Sequence, residues 1–345
     1  MISKVEILKE KILGDIKSGR LIPGSSLPSR HQFMKRYGCA RGSIDVAIAD
    51  LTKGGYVFSR QGKGTFVADR KERVHVDKVF LIGDFTHSSM PDNSWASSPL
   101  ASEIQRHAPC FVFHRDEVNI RLGQIVHPGS AVIWIRPTYS ELMVMDYIAK
   151  AGIPQLLIGR NFGNYDHIRT DAEAGIRTGL EWLTEKAGKD ITYVSEENNP
   201  DLPYIAERHI AFYELCVDME LSLSRDRLFV RNFKDDLGGR LGEVTKALFE
   251  GESCPRAVYL SFIAAALPFV TLAESKGFQP GKDFHLLLFD QDVWLKEREG
   301  IGMIRQNWKV MNDLALEWTL QRIGGAKEEF KRKVEPEFIT KEREL

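Results

Sequence analysis

From Val79 to Phe289 the chain alternates short, nearly unbroken apolar runs with stretches of helical periodicity, and few architectures accept that alternation. The strand-length runs are Val79–Gly83, Cys110–Phe113, Ala131–Ile135, Gln155–Ile158, Ile191–Val194, Leu228–Val230, Ala257–Leu260 and Phe284–Phe289. Helical spacing is found in Pro99–His107, Tyr139–Ala151, Ala172–Lys186, Ile205–Met219, Gly238–Phe249 and Ala264–Lys276. A strand that is apolar on both faces must be covered on both, so the pattern predicts parallel sheets between layers of helix. About 270 residues of it exceed what one core usually holds, so the body is expected to form two lobes.

The first 70 residues follow a different rule. Val5, Leu8, Ile12 and Ile16 share a helical face, and Gly19 ends that helix. Ser29 with Gln32 three positions on is a capping box, which predicts a second helix from Arg30 to Tyr37 with Gly38 as its turn. A third helix spans Arg41 to Lys53. Two short strands follow, Tyr56–Arg60 and Thr65–Ala68, joined through Gln61-Gly62-Lys63-Gly64. Three helices and a two-stranded wing make a winged helix-turn-helix. Asp69 to Val76 is charged and lacks periodicity, so the division expected is a head at 1–70, a linker at 71–76 and an α/β body at 77–345.

Charge separates the same two parts. The 345 residues carry a net −1, but residues 1–70 hold 13 Lys and Arg against 6 Asp and Glu, and the remainder 34 against 42. A basic head on an acidic body is the asymmetry expected when one end meets a polyanion. In such a fold the third helix enters the major groove, so Arg41, Gly42 and Ser43 at its start are the candidate base readers, and Arg41 can pair bidentately with guanine. Asp45 would repel a phosphate or select a cytosine amino group. Lys63, between two glycines, suits a phosphate or the minor groove. Arg30, His31, Gln61, Gly62 and Gly64 complete the candidate DNA-binding set. The alternative is that these are solvated basic residues of a small domain.

Other classes are excluded by what the chain lacks. No apolar run reaches the roughly 18–20 residues of a spanning helix. The N-terminus enters a charged amphipathic helix without a signal-peptide core, so a cytoplasmic protein with no membrane partner is expected. Cys39, Cys110, Cys216 and Cys254 have no metal or disulfide spacing, and His107, His114 and His127 fit no metal template. No G-x-S-x-G, H-E-x-x-H or P-loop pattern occurs. Neither an enzyme nor a cofactor is expected.

Pro23-Gly24-x-x-Leu27-Pro28-Ser29, Tyr37-Gly38-x-x-Arg41 and Gly62-Lys63-Gly64-Thr65-Phe66-Val67 together resemble the DNA-binding head of the GntR family of bacterial transcription regulators. The family's usual Glu-Arg after Leu-Pro-Ser is Arg30-His31 here, and Ala40 stands where it has Ser or Thr. The body resembles the effector module of the LacI/GalR family, itself similar to periplasmic sugar-binding proteins. The matching residues are Gly152-Ile153-Pro154 with Gly159-Arg160, Arg169-x-Asp171, Arg208-x-x-Ala211-Phe212 and Phe289-Asp290-Gln291. The combination is similar in plan to bacterial arabinose repressors. It implies a repressor that binds a palindromic double-stranded operator as a homodimer and answers to a small, sugar-like effector between two lobes. Some GntR-headed proteins carry a pyridoxal-phosphate aminotransferase body, but that body needs about a hundred more residues and a Schiff-base lysine context.

Open α/β sheets bind ligands beyond the carboxyl ends of their strands. That rule singles out Asp84, Arg136, Arg160 with Asn161, Ser261 and Asp290 with Gln291, and the resemblance adds a ligand-holding role for Arg208 and Asp290. Trp95 and Trp134 are stacking candidates, Trp134 more plausibly core. Where the family has Asn-Asp after its late strand this chain has Ser261-Phe262, and the Phe262 ring suits a different ligand. A body that binds a non-sugar effector, or serves only for dimerisation, is the alternative.

Overall fold

In the head, helix α1 (Lys4–Lys17) crosses a helix-turn-helix made of α2 (Arg30–Tyr37) and α3 (Arg41–Lys53). The capping box forms: Ser29 Oγ accepts from the Gln32 amide at 3.3 Å, and Gln32 Oε1 from the Ser29 amide at 2.8 Å. Gly38 takes the left-handed conformation, φ 60°, and stops α2. Strands β1 (Val57–Arg60) and β2 (Gly64–Val67) pair antiparallel, Val57 opposite Val67. Leu8, Ile12, Phe33, Ile44, Ile48, Leu51, Val57 and Val67 close a separate small core. The computed structural model describes residues 4–53, 55–60, 62–68, 76–84, 99–250 and 254–341. Most of the linker expected at 71–76 lies outside them. Val76, its last residue, is buried in the body's first core.

The body is built on two six-stranded sheets. The first is ordered β13-β7-β6-β5-β3-β4, all parallel, from β3 (Lys78–Gly83), β4 (Cys110–His114), β5 (Ser130–Ile135), β6 (Gln155–Ile158), β7 (Asp166–Thr170) and β13 (Lys331–Val334). The second is ordered β14-β12-β11-β10-β8-β9, from β8 (Ile191–Glu196), β9 (Leu228–Arg231), β10 (Ala257–Leu260), β11 (His285–Phe289), β12 (Ile301–Arg305) and β14 (Glu337–Thr340). Only β14 runs antiparallel in it. Each sheet is covered on both faces, as its apolar strands require: separate clusters built on Leu81, Ile133 and Leu156 and on Phe80, Trp134 and Leu157 flank the first sheet. Clusters built on Val258 and Leu288 and on Tyr193 and Leu287 flank the second.

The expected α/β class with parallel sheets and a winged head is the architecture present. Six elements escaped the periodicity reading: α5 (Val118–Ile125), β7, β12, α11 (Trp308–Ile323), β13 and β14. The last five carry the chain between lobes. After β7 it passes into the second lobe, where α7 (Ala172–Ala187) packs; after β12 it returns, and α11 packs under the first sheet. Between β13 and β14 it crosses once more. Three connections therefore join the lobes.

Candidate functional site

Because the strands of each lobe are parallel, their carboxyl ends lie along one edge, and a cavity of ≈ 880 Å³ opens there between the lobes. Asp84, Arg136 and Arg160 reach it from the ends of β3, β5 and β6, and Asp290 from the end of β11. Arg136 and Asp290 share an uncommon backbone, φ 48° and 79°. Each is held there by the sheet: the Arg136 amide donates to Ile158 O and the Asp290 amide to Ile304 O, both at 2.9 Å. Non-glycine residues at positive φ cost of order 1–3 kcal/mol and concentrate where side chains must be aimed.

Arg208 comes from α8 (Tyr204–Asp218) and is buried. Its guanidinium stacks over Phe289 at 3.7 Å and Tyr204 at 4.4 Å, donates to Ser261 O at 2.8 Å and pairs with Asp290 at 2.7 Å. The other Asp290 oxygen accepts from Gln306 at 2.5 Å, and Thr170 donates to Gln306 at 2.9 Å. Burial would raise the Asp290 carboxyl, but Arg208 with the two hydrogen bonds outweighs it and the pKa falls. Burial likewise works against the Arg208 cation, and Asp290 more than restores it. The pair is ionised. It is also tied, through Gln306 and Thr170, to two of the three interlobe connections.

The other cations on the wall divide into two kinds. Arg115 faces Glu141 at 3.3 Å, Lys234 faces Asp201 at 2.5 Å, and Arg169 pairs with Glu207 and Arg305 with Glu337. Arg136 and Arg160 are different. Arg136 stacks over Trp308 at 4.6 Å and Arg160 over Tyr204 at 4.8 Å, and among the described residues neither forms an ion pair. Arg160 donates one hydrogen bond, to Gly159 O at 2.6 Å, and its buried Nε has no partner. Burial, and then Arg136, pull the Arg160 pKa down to about 9; burial lowers Arg136 as well. A guanidinium is effectively always protonated at neutral pH, so both are cations.

The remaining sequence candidates fall in different places. Phe262 and Gln291 line the cavity, Phe262 lying parallel to Phe233 at 6.3 Å. Ser261 does not line it. Its side chain is fully buried, 2.5 Å from Ser195 Oγ and within 3.3 Å of Tyr193 Oη, because the strand pleat turns it into the second lobe; only its carbonyl serves the site, through Arg208. Trp134 is core, donating to Gln155 at 2.8 Å. Trp95 lies outside the described residues, as does Gln61. Asp84 sits 3.3 Å from His114 Nε2. Sequence reasoning missed Arg115, Tyr204, Gln306 and Trp308. Arg115 follows β4 directly and satisfies the strand-end rule; Tyr204 lies one helical turn before Arg208 and so shares its face.

On the head, Arg41 begins α3 with its side chain 77% exposed, Gly42 beside it is exposed, and Ser43 is half-buried. Lys63 tops the wing between Gly62 and Gly64, φ 73° and 106°, conformations that suit residues without a Cβ. His31 is exposed. Arg30 is engaged inside the head, donating to Asp45 at 3.2 Å and Thr65 at 2.9 Å. Asp45 also lies 4.0 Å from Arg41, so its charge is partly met by its neighbours and it braces two arginines.

Residues 4–67 match the family model of bacterial regulatory proteins of the gntR family. The HTH-type transcriptional regulator YurK of Bacillus subtilis is 33% identical over 107 residues, 28% of this chain and 44% of that protein. The arabinose metabolism transcriptional repressor of Halalkalibacterium halodurans is 34% identical over 73 residues, 21% of this chain and 20% of that protein. The chain thus spans less than half the length of these relatives. A LacI-family regulatory protein from Chloroflexus aggregans superposes with a TM-score of 0.62 at 16% identity, over 76% of this chain and 98% of that one. A periplasmic binding protein/LacI transcriptional regulator from Alkaliphilus metalliredigens, complexed with D-xylulofuranose, gives 0.56 at 15%, over 76% and 97%. The head is a GntR-type helix-turn-helix domain, and the body has the fold of LacI-type regulators.

Proposed function

We propose that the chain is a transcription repressor whose winged head binds a palindromic operator and whose cleft binds a small polar effector that controls it. The observation that carries this reading is the joining, in one chain, of a GntR-type helix-turn-helix to a two-lobed body with a polar interlobe cavity. In this reading the head ends near residue 70, a linker spans 71–76, and the body occupies 77–345. Arg41, Gly42, Ser43 and the wing around Lys63 meet DNA; Arg136, Arg160, Arg208, Phe262 and Asp290 meet the effector. Two copies are expected to pair through the first lobe, where Ile120 and Met143 stand 85% and 88% exposed on neighbouring surface helices. A symmetric pair presents two heads at a fixed spacing, and a ligand that draws the lobes together changes it. A coupling of about 1–3 kcal/mol between ligand and operator suffices for a switch.

The test is operator binding by fluorescence anisotropy, on fragments from upstream of the chain's own gene and its neighbours. Arg41→Ala is expected to weaken specific binding about 5- to 150-fold, the equivalent of one bidentate base contact. Unchanged specific affinity would remove α3 from the interface.

A further inference from the structure

We propose that the effector carries a phosphomonoester and that Arg136 and Arg160 hold it. This rests on reading the cleft as an effector site and narrows the class of ligand. Among the described residues the other lining arginines and Lys234 each have a carboxylate partner, while the lining carboxylate Asp84 faces His114. Arg136 and Arg160 follow adjacent parallel strands and repel one another, and the carboxylate that both feel, Asp290, is already engaged by Arg208. Two guanidiniums with no ion-pair partner of their own among the described residues are costly in a partly dehydrated wall unless something supplies charge.

Charge counting selects among anions. A phosphomonoester carries about −1.5 to −2 at neutral pH and three acceptor oxygens, close to the charge of two guanidiniums. A carboxylate would neutralise one of them, and a neutral sugar neither. The stacking geometry agrees. Each guanidinium lies over an aromatic face, Trp308 or Tyr204, which leaves its in-plane N–H edge available for bidentate contact with oxygens. A cavity of ≈ 880 Å³ is far larger than a phosphate, so the anion is one end of a bigger molecule whose polar remainder lies towards Asp290 and Gln306. Tyr204 belongs to the second lobe and Arg160 to the first, so an anion on Arg160 also bears on the contact between lobes.

The probe is inorganic phosphate, which needs no knowledge of the rest of the ligand. Full-length protein is melted at pH 7.5 in tens of millimolar phosphate, in acetate, and in chloride at matched ionic strength. Phosphate is expected to raise Tm by about 2 °C or more over chloride, and acetate by clearly less. Arg160→Gln and Arg136→Gln are expected to abolish the phosphate response. They should also melt, in chloride, at or above the wild-type temperature, because each removes an uncompensated charge; an arginine with a merely structural role would lower it. Equal responses to acetate and phosphate, no phosphate response in the wild type, or retention of that response in both variants would each overturn the proposal. Operator binding measured on the same samples separates the two readings. Operator binding without a phosphate response refutes this inference alone, whereas a phosphate response without operator binding refutes only the regulator.

Discussion

Replacing Asp290 with asparagine tests the electrostatics of the cleft at one atom. The amide keeps the shape of the side chain, and its one oxygen can still accept from Arg208, so packing is conserved and charge is removed. Arg208 is left buried, with Arg136 and Arg160 on the same wall and no carboxylate among the three. Breaking a buried ion pair by removing one partner costs about 3–5 kcal/mol; the retained hydrogen bond from Arg208 places Asp290→Asn near the lower end. At about 2–4 °C per kcal/mol for domains of this size, Tm should fall by about 6–10 °C. Differential scanning calorimetry of wild type, Asp290→Asn, Arg208→Met and the double variant completes the cycle. Because removing both partners leaves no orphaned charge, the double variant should be at least about 1.5 kcal/mol more stable than additivity gives. A fall in Tm smaller than about 1 °C, or an additive cycle, would refute an ionised and structurally essential pair.

Two further outcomes follow from the second lobe. Gly300 lies at φ 70° with the space of its absent Cβ filled by the Gly281 backbone, 2.0 Å from that nitrogen, so Gly300→Ala combines backbone strain with a clash that no side chain can relieve. A loss of about 3 kcal/mol or more is expected in urea unfolding, and a loss under about 1 kcal/mol would contradict the close approach of those two loops. His209 is buried against Ser195 Oγ at 2.9 Å, and burial lowers its pKa below the ordinary 6.5. The unfolded chain then binds the proton more readily than the folded one, so stability rises as pH climbs from the folded pKa to about 6.5. Tm should therefore drop between pH 7.5 and pH 5 more steeply in the wild type than in His209→Gln; parallel pH profiles would show that the imidazole is not held neutral.

The strands that announce themselves are those whose side chains are apolar on both faces, such as Val79–Gly83, Ala131–Ile135 and Ala257–Leu260. Strand β7, Asp-His-Ile-Arg-Thr, is hidden because its burial is polar. Asp166 accepts from Trp318 and Arg322, both at 2.7 Å, and from the Phe330 amide at 2.8 Å, partners supplied more than 150 residues away. Strand β12 is hidden by Gly302, whose missing side chain makes room for Trp182 and Phe338. The cleft divides in the same way. Strand-end logic reaches Asp84, Arg136, Arg160 and Asp290, since all strands of a parallel sheet point one way. It misassigns Ser261, where the pleat sends the hydroxyl into the core. It does not reach Gln306 or Trp308, which follow a strand that periodicity overlooks. That Arg136 and Arg160 form no ion pair among the described residues is a property of the assembled wall and has no local signature.

The three interlobe connections bear on how such a chain can be recombined. The first lobe draws its strands from two separate stretches of sequence, and so does the second, because α7, α11 and β14 each begin beyond a crossing. No single cut releases a whole lobe, and a crossover between two genes inside the body would pair half-lobes that had never packed together. The head is continuous from α1 to β2 and carries its own core. A gene fusion near its end leaves that core whole. Exchange of the DNA-reading unit is thus mechanically easy while the sensing unit passes on undivided, which is consistent with a head and a body whose likenesses lie with different families.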